Sequence, residues 1–164
     1  GITRDRIYGT VNYKNKSFYL IDTGGIDMGK EDFNEDIKAQ ASLAIEESDI
    51  ILFVVDGKED LSANDFKVRD MLIKSNKDVY VVVNKVDNEK RNDNIYAYYE
   101  LGFEKIFPVS GEHNLGFREL LDEITKDTFE VKEVLKQKAY IAFAEKKYDD
   151  AYNYLLNKEV DDEI

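Results

Sequence analysis

The sequence predicts an α/β fold built on a doubly wound, mostly parallel β-sheet. Three observations carry that expectation. Two short runs, Ile50–Val55 (IILFVV) and Val79–Val83 (VYVVV), are apolar without alternation. Runs of this kind, rich in β-branched residues, fit strands covered on both faces, as in a parallel sheet. Segments with helical spacing separate the strand-like runs, which is the pattern of βαβ units. Finally, polar residues stop three of the strand-like runs, at Asp22, Asn84 and Ser110. In an open parallel sheet such carboxyl ends face one edge together, and ligands bind there.

Taken in order, Ile7–Tyr13 and Ser17–Ile21 read as a β-hairpin turning through Lys14-Asn15-Lys16. The second strand ends in Asp22-Thr23-Gly24-Gly25, and the acidic stretch Asp27–Asp36 reads as a mobile loop. Ile37–Ile45 carries Ala39, Ala41, Leu43 and Ala44, the spacing of a helix that stops near Ser48-Asp49. The buried strand Ile50–Val55 is closed by Asp56-Gly57. Ser62–Lys74 places Phe66, Val68, Met71, Leu72 and Ile73 on a second helix, with Ser62 as its N-cap. The strand Val79–Val83 then runs into Asn84-Lys85-Val86-Asp87. Ile95–Gly102 reads as a Tyr-rich helix ended by Gly102. Lys105–Val109 is a short strand capped by Ser110-Gly111-Glu112, and Phe117–Ile124 is an amphipathic helix.

Beyond Asp127 the texture changes. Phe129–Lys146 places Val131, Val134, Leu135, Ala139, Ala142 and Phe143 at helical spacing. A second stripe comes after Asp149, made by Ala151, Tyr152, Leu155, Leu156 and Val160. The expectation is a sheet domain over 1–127 and a helical hairpin over 128–164. The hairpin's spacing is similar to one tetratricopeptide-type helix pair, which would offer a surface to a protein partner. An ordinary helical extension packed on the sheet domain is the other reading.

Composition narrows the function classes. The chain has 164 residues, enough for one domain and a small appendage. A net charge of −12 argues against non-specific binding to nucleic acid or an anionic membrane. It leaves room for a nucleotide site, which needs only a local cradle. With no cysteine there is no disulfide framework and no thiolate metal site. No apolar run reaches the ~18–20 residues of a membrane helix. No signal peptide is visible, so a cytoplasmic protein is expected. The chain opens at Gly1 inside loop-like sequence, which reads as a fragment.

The polar caps carry the chemistry. Asn84 offers an amide donor and acceptor, Lys85 an aliphatic stem with a cation, and Asp87 two acceptor oxygens. A carboxylate can accept two N–H bonds from one edge of guanine. Adenine cannot supply that pair and would leave the carboxylate unpaired. Asp22-Thr23-Gly24-Gly25 has the D-x-x-G form, which suits a water-mediated Mg²⁺ contact and a backbone N–H near a γ-phosphate. Each cap taken singly also fits a plain polar turn. Three in this order, each ending a predicted strand, point to one nucleotide site.

These motifs carry a family resemblance. D-x-x-G, N-K-x-D and S-G-E, with GITRDRIYG, FYLIDTGGI and SGEHNLG around them, resemble the first GTPase domain of the Der (EngA) family of bacterial ribosome-assembly GTPases. The resemblance covers about 1–126 and implies the P-loop GTPase fold. It implies GTP or GDP as ligand, Mg²⁺ as metal, potassium assistance, and the large ribosomal subunit as partner. Position by position, it gives Thr3 a contact to Mg²⁺ and the γ-phosphate. Asp22 becomes a metal contact and Gly25 a γ-phosphate sensor within Asp22-Thr23-Gly24-Gly25-Ile26. Ile26 stands where other GTPases carry a water-orienting glutamine. Asn84 and Asp87 of Asn84-Lys85-Val86-Asp87 would read guanine, Lys85 would lie along the base, and Ser110-Gly111 would support the base loop.

The chain also departs from the family. No G-x-x-x-x-G-K-S/T loop occurs in it. The family places that loop, with its strand and helix, before the stretch resembling GITRDR. The missing strand would lie centrally, between Ser17–Ile21 and Ile50–Val55. GTPase activity is therefore not expected of this chain alone. The gap is expected to close by direct pairing of those two strands, or by a strand borrowed from another copy. The alternative to a GTPase domain is a degenerate GTPase-like domain used with its hairpin for protein contact.

Overall fold

A computed structural model describes residues 7–14, 16–22, 35–126, 139–144 and 149–157. Strands β1 (Ile7–Tyr13) and β2 (Lys16–Asp22) form the expected antiparallel hairpin, with Tyr13 opposite Lys16. Helix α1 (Glu35–Glu47) leads to β3 (Ile50–Asp56), and α2 (Ala63–Ser75) leads to β4 (Asp78–Asn84). A 3₁₀ segment, Glu89–Leu101, precedes β5 (Ile106–Pro108) and α3 (Phe117–Thr125). The chain continues with β6 (Ala139–Ala144) and α4 (Asp149–Asn157).

Local chemistry explains several of these boundaries. Ser62 caps α2 as expected: its Oγ accepts from the Asp65 N–H at 3.2 Å, and Asp65 Oδ2 accepts from the Ser62 N–H at 2.7 Å. This reciprocal pair satisfies two backbone donors that the first turn leaves open. At the far end Asn76 adopts φ 58°, and its N–H donates to the Ile73 carbonyl. The 3₁₀ segment stops at Gly102, whose φ is 86°.

The six strands run in the order β1-β2-β6-β3-β4-β5. All neighbours pair in parallel except β1 with β2. Burial is two-sided, as the unalternating runs imply. Ile50, Leu52 and Val54 of β3 share one core with α3 and α4. Ile51, Phe53 and Val55 share the other with α1, α2 and the 3₁₀ segment. Helices thus cover both faces, the arrangement a parallel sheet needs.

The strand expected to be missing is present in another form. β6 lies between β2 and β3, with Ile21 opposite Ile141 on one side and Phe53 opposite Phe143 on the other. This corrects two expectations. Residues 139–144 are strand, where helical spacing predicted part of a helix over Phe129–Lys146. The slot is closed neither by direct β2–β3 pairing nor by a second copy, but by the chain's own later segment. The physical reason is the slot itself. It offers unpaired backbone groups on both flanking strands, and a short apolar segment placed there satisfies both rows. The second helix of the expected hairpin exists as α4, but it packs on the sheet. Ala151, Tyr152 and Leu155 are buried in the core that holds Val11, Phe18 and Phe117. Residues 129–138 and 145–146, the rest of the first expected helix, lie outside the described residues.

Candidate functional site

The strand ends gather the expected polar residues at one edge. β4 stops at Asn84, paired in register with Asp56 at the end of β3. The chain then turns sharply, with Lys85 at φ 67°. The Val86 N–H donates to the Val109 carbonyl at 3.0 Å, and the Val109 N–H donates to the Val83 carbonyl at 2.8 Å. These two bonds hold the N-K-V-D turn against the Ser110 loop. That loop closes on itself: Ser110 and Leu115 exchange backbone bonds at 2.9 and 3.0 Å.

Asn84 is only 2% exposed, and both ends of its amide are used. Its Oδ1 accepts from the Gly111 N–H at 3.1 Å, and its Nδ2 donates to Asp150 Oδ1 at 3.1 Å. A buried amide must find partners or destabilise the fold, so Asn84 fixes three segments relative to one another. Asp87 sits at the rim. Its Oδ1 accepts from the Ser110 hydroxyl at 2.9 Å, and its Oδ2 lies 3.2 Å from Lys58 Nζ. The Ser110 hydrogen bond, followed by the Lys58 ammonium, holds the Asp87 carboxyl below the usual range, while burial pushes the other way. Asp87 is therefore an ionised acceptor at neutral pH. Lys85 Nζ donates to Asp56 Oδ2 at 2.6 Å, and Asp56 Oδ1 accepts from the Lys58 N–H at 2.8 Å.

The structure thus brings together Asn84, Lys85, Val86, Asp87, Ser110 and Gly111. Asp22 ends β2 on the same edge, opposite Ala142 of β6. Thr3, Thr23, Gly24, Gly25 and Ile26, and most of the loop expected over Asp27–Asp36, lie outside the described residues. Four participants were not singled out from the sequence: Asp56, Lys58, His113 and Asp150. Asp56 and Lys58 had a signal, because Asp56-Gly57 ends a buried strand as the other caps do. His113 stands inside the SGEH stretch, 3.9 Å from Asp87. Asp150 had none, since nothing local ties it to Asn84. Among the described residues, Asp87, Glu112 and His113 each place a ligand atom within 4.8 Å of the others. Glu112 and His113 are exposed and Asp87 is already held, so the trio reads as the rim of the Ser110 loop. No helix among the described residues is long and apolar enough to cross a membrane.

Comparison with known proteins agrees with this geometry. A family model described as 50S ribosome-binding GTPase matches residues 1–85. The chain is similar to GTPase Der of Oceanobacillus iheyensis, 48% identical over 124 residues, covering 76% of this chain and 28% of the relative. GTPase Der of Macrococcus caseolyticus is 48% identical over 126 residues, covering 77% of this chain and 29% of that protein. The chain therefore spans under a third of the length of these relatives. Among solved structures, Era of Aquifex aeolicus bound to GDP·AlF4⁻ superposes with a TM-score of 0.59 at 27% identity, covering 76% of this chain and 44% of Era. Era in complex with MgGDPNP and nucleotides 1506–1542 of 16S ribosomal RNA gives 0.57 at 26% identity, covering 81% and 47%.

Proposed function

The chain belongs to the family of 50S ribosome-binding GTPases, and on that premise we propose that its sheet edge is the base-reading half of a guanine-nucleotide site. Asp87 accepts the guanine N–H pair, Asn84 fixes the base loop, Lys85 lies along the base, and Ser110-Gly111 supports it. The observation that carries this reading is the state of Asp87: an ionised carboxylate on the rim, oriented by Ser110 and paired with a long-stemmed lysine that a base could displace. Guanine recognition requires an acceptor of this kind.

The phosphate half is assigned to Thr3, Asp22 and Gly25, within Asp22-Thr23-Gly24-Gly25-Ile26. Asp22 closes a strand on the same edge, and a carboxylate with a threonine hydroxyl is a hard oxygen donor set suited to Mg²⁺. When bound, that ion would neutralise charge on the β- and γ-phosphates. Potassium assistance in place of a glutamine is part of the same proposal. The wider activity proposed for the whole protein is GTP hydrolysis coupled to assembly of the large ribosomal subunit. A ribosomal partner would place it in the cytoplasm.

The test is a base-specificity switch. Asp87→Asn replaces an acceptor by a donor that suits the xanthine carbonyl, so affinity should move from guanine toward xanthine nucleotides. A competition titration with GDP and xanthosine diphosphate reads this directly. Equal loss of both would make Asp87 a structural residue and remove the proposal's base reader.

A further inference from the structure

We infer that Lys58 is a built-in competitor for guanine: its ammonium holds the oxygen of Asp87 that the base must take, and this exchange sets how tightly the site binds. The inference rests on the guanine-nucleotide reading above and concerns regulation of that same site. The two oxygens of Asp87 are held from different sides. Oδ1 accepts from the Ser110 hydroxyl at 2.9 Å, and Ser110 is fully buried. Oδ2 lies 3.2 Å from Lys58 Nζ, and the lysine side chain is 44% exposed. The Asp87 side chain itself is only 17% exposed. Lys58 is thus the partner on the solvent side, and an incoming base meets it first. Guanine presents two N–H groups side by side to the two oxygens of one carboxylate, so the pair needs Oδ2. Ser110 can stay, because its hydroxyl comes from the interior and Oδ1 has a second acceptor site. The Lys58 ammonium stands in the line of approach and must leave.

The lysine is placed there by its backbone. Asp56 and Asn84 end β3 and β4 in register. The Gly57 N–H donates to the Asn84 carbonyl at 2.7 Å, and a Cβ on Gly57 would lie 2.6 Å from that oxygen. A residue without a side chain lets the two segments come this close. Asp56 Oδ1 then accepts from the Lys58 N–H at 2.8 Å, which fixes the turn that carries Lys58 toward Asp87. Asp56 Oδ2 takes the Lys85 ammonium at 2.6 Å. Asp56 is therefore occupied by Lys85, and Lys58 pairs with Asp87 instead. Displacing that lysine is cheap. Its ammonium returns to water with strong hydration, and an exposed ion pair contributes little. Lys58 therefore tunes affinity by a small factor and does not block the site. A guanidinium in its place would behave differently. Its N–H fork matches a carboxylate as guanine's edge does, and it would be harder to remove.

The experiment uses the full chain and guanosine, a neutral probe that keeps phosphate charge out of the reading. Guanosine is titrated calorimetrically into wild type, Lys58→Met, Lys58→Arg and Asp87→Asn. Lys67→Met, at an exposed position of α2, controls for net charge. Lys58→Met keeps the stem and removes the charge, so affinity should rise about two- to fivefold. Lys67→Met should match wild type, and Lys58→Arg should bind no better than wild type. Salt gives a second reading. Screening weakens the Lys58–Asp87 pair, so wild-type affinity should rise between about 0.05 and 0.5 M NaCl while Lys58→Met stays flat. In parallel, the carboxyl ¹³C signal of Asp87 should titrate at higher pH in Lys58→Met, because the lysine favours the ionised form. An unmoved titration would show that Lys58 does not act on Asp87 and would overturn the inference. Equal or weaker guanosine binding by Lys58→Met would also overturn it, making the lysine a bystander or an aid. Guanosine binding by wild type that is lost in Asp87→Asn upholds the guanine reading whatever Lys58 does. If no variant binds guanosine at millimolar concentration, that reading falls and this inference falls with it.

Discussion

Asn84 donates its side-chain amide to Asp150 across 66 positions of chain, at 3.1 Å. The bond joins the end of β4 to the start of α4, two elements that no local rule of sequence connects. Around it the Ser110 loop and the start of α4 are packed closely enough to make specific demands.

Gly111 and Gly9 make a contrasting pair. An added Cβ at Gly111 would meet backbone and carboxylate carbon at 2.4 and 2.6 Å, whereas at Gly9 it would meet the tip of Leu156 at 2.5 Å. A leucine tip can rotate away; a helix start cannot. Gly111→Ala should cost about 1–3 kcal/mol of stability, and Gly9→Ala under about 1 kcal/mol. Urea denaturation of both variants checks the order. A reversal would mean that α4 is not seated against the Ser110 loop.

Leu155 tests whether α4 belongs to the main core. It is 5% exposed and shares its cluster with Val11, Phe18 and Leu120. Leu155→Ala should lower stability by roughly 2–5 kcal/mol, the usual range for a buried leucine. A loss under about 0.5 kcal/mol, within the range of surface substitutions, would place the helix on the surface.

Asp87 sets an acid limb. Its folded carboxyl titrates below the unfolded value, held there first by Ser110 and then by Lys58, so the charged form favours the fold. That contribution is fully present above the unfolded value of about 3.9 and is lost as pH falls through the lower folded value. The stability difference between wild type and Asp87→Asn should stay constant from about pH 5 to 7 and shrink below about pH 4. Denaturation midpoints along that series read it. A difference that holds unchanged down to about pH 2 would mean that Ser110 and Lys58 do not act on Asp87.

Ser62→Ala should remove the reciprocal cap of α2 and cost about 1 kcal/mol. Thermal melting, with Ser42→Ala on the exposed face of α1 as reference, separates this from a general serine effect.

Much of this was legible because the physics was local. Five apolar residues before Asn84 announced a doubly covered strand, and Ser62 before an apolar period announced a cap. The N-K-V-D turn and the Ser110 loop could be placed from where strands end in a parallel sheet. β6 was not legible for an equally physical reason. Ala139, Ala142 and Phe143 continue the spacing of Val131, Val134 and Leu135, and a short apolar run does not declare its period. Alanine favours helix, and Ile141 is the one β-branched residue in AYIAFA. What decides its form is a vacancy between β2 and β3, which no window of sequence contains. Asp150 was hidden in the same way, since its partner lies on a strand far upstream.

The placement of β6 also sets a timetable. During synthesis β2 and β3 emerge early, yet the strand that joins them comes more than eighty residues after β3. At ~5–20 residues per second, both inner edges wait roughly 4–20 s for their partner. Pairing at such separation is slow even once the segment is available, because distant ends must meet before any bond rewards them. For that interval the nascent chain carries two open, apolar strand edges, and its vulnerability to aggregation is greatest before residue 139 leaves the ribosome.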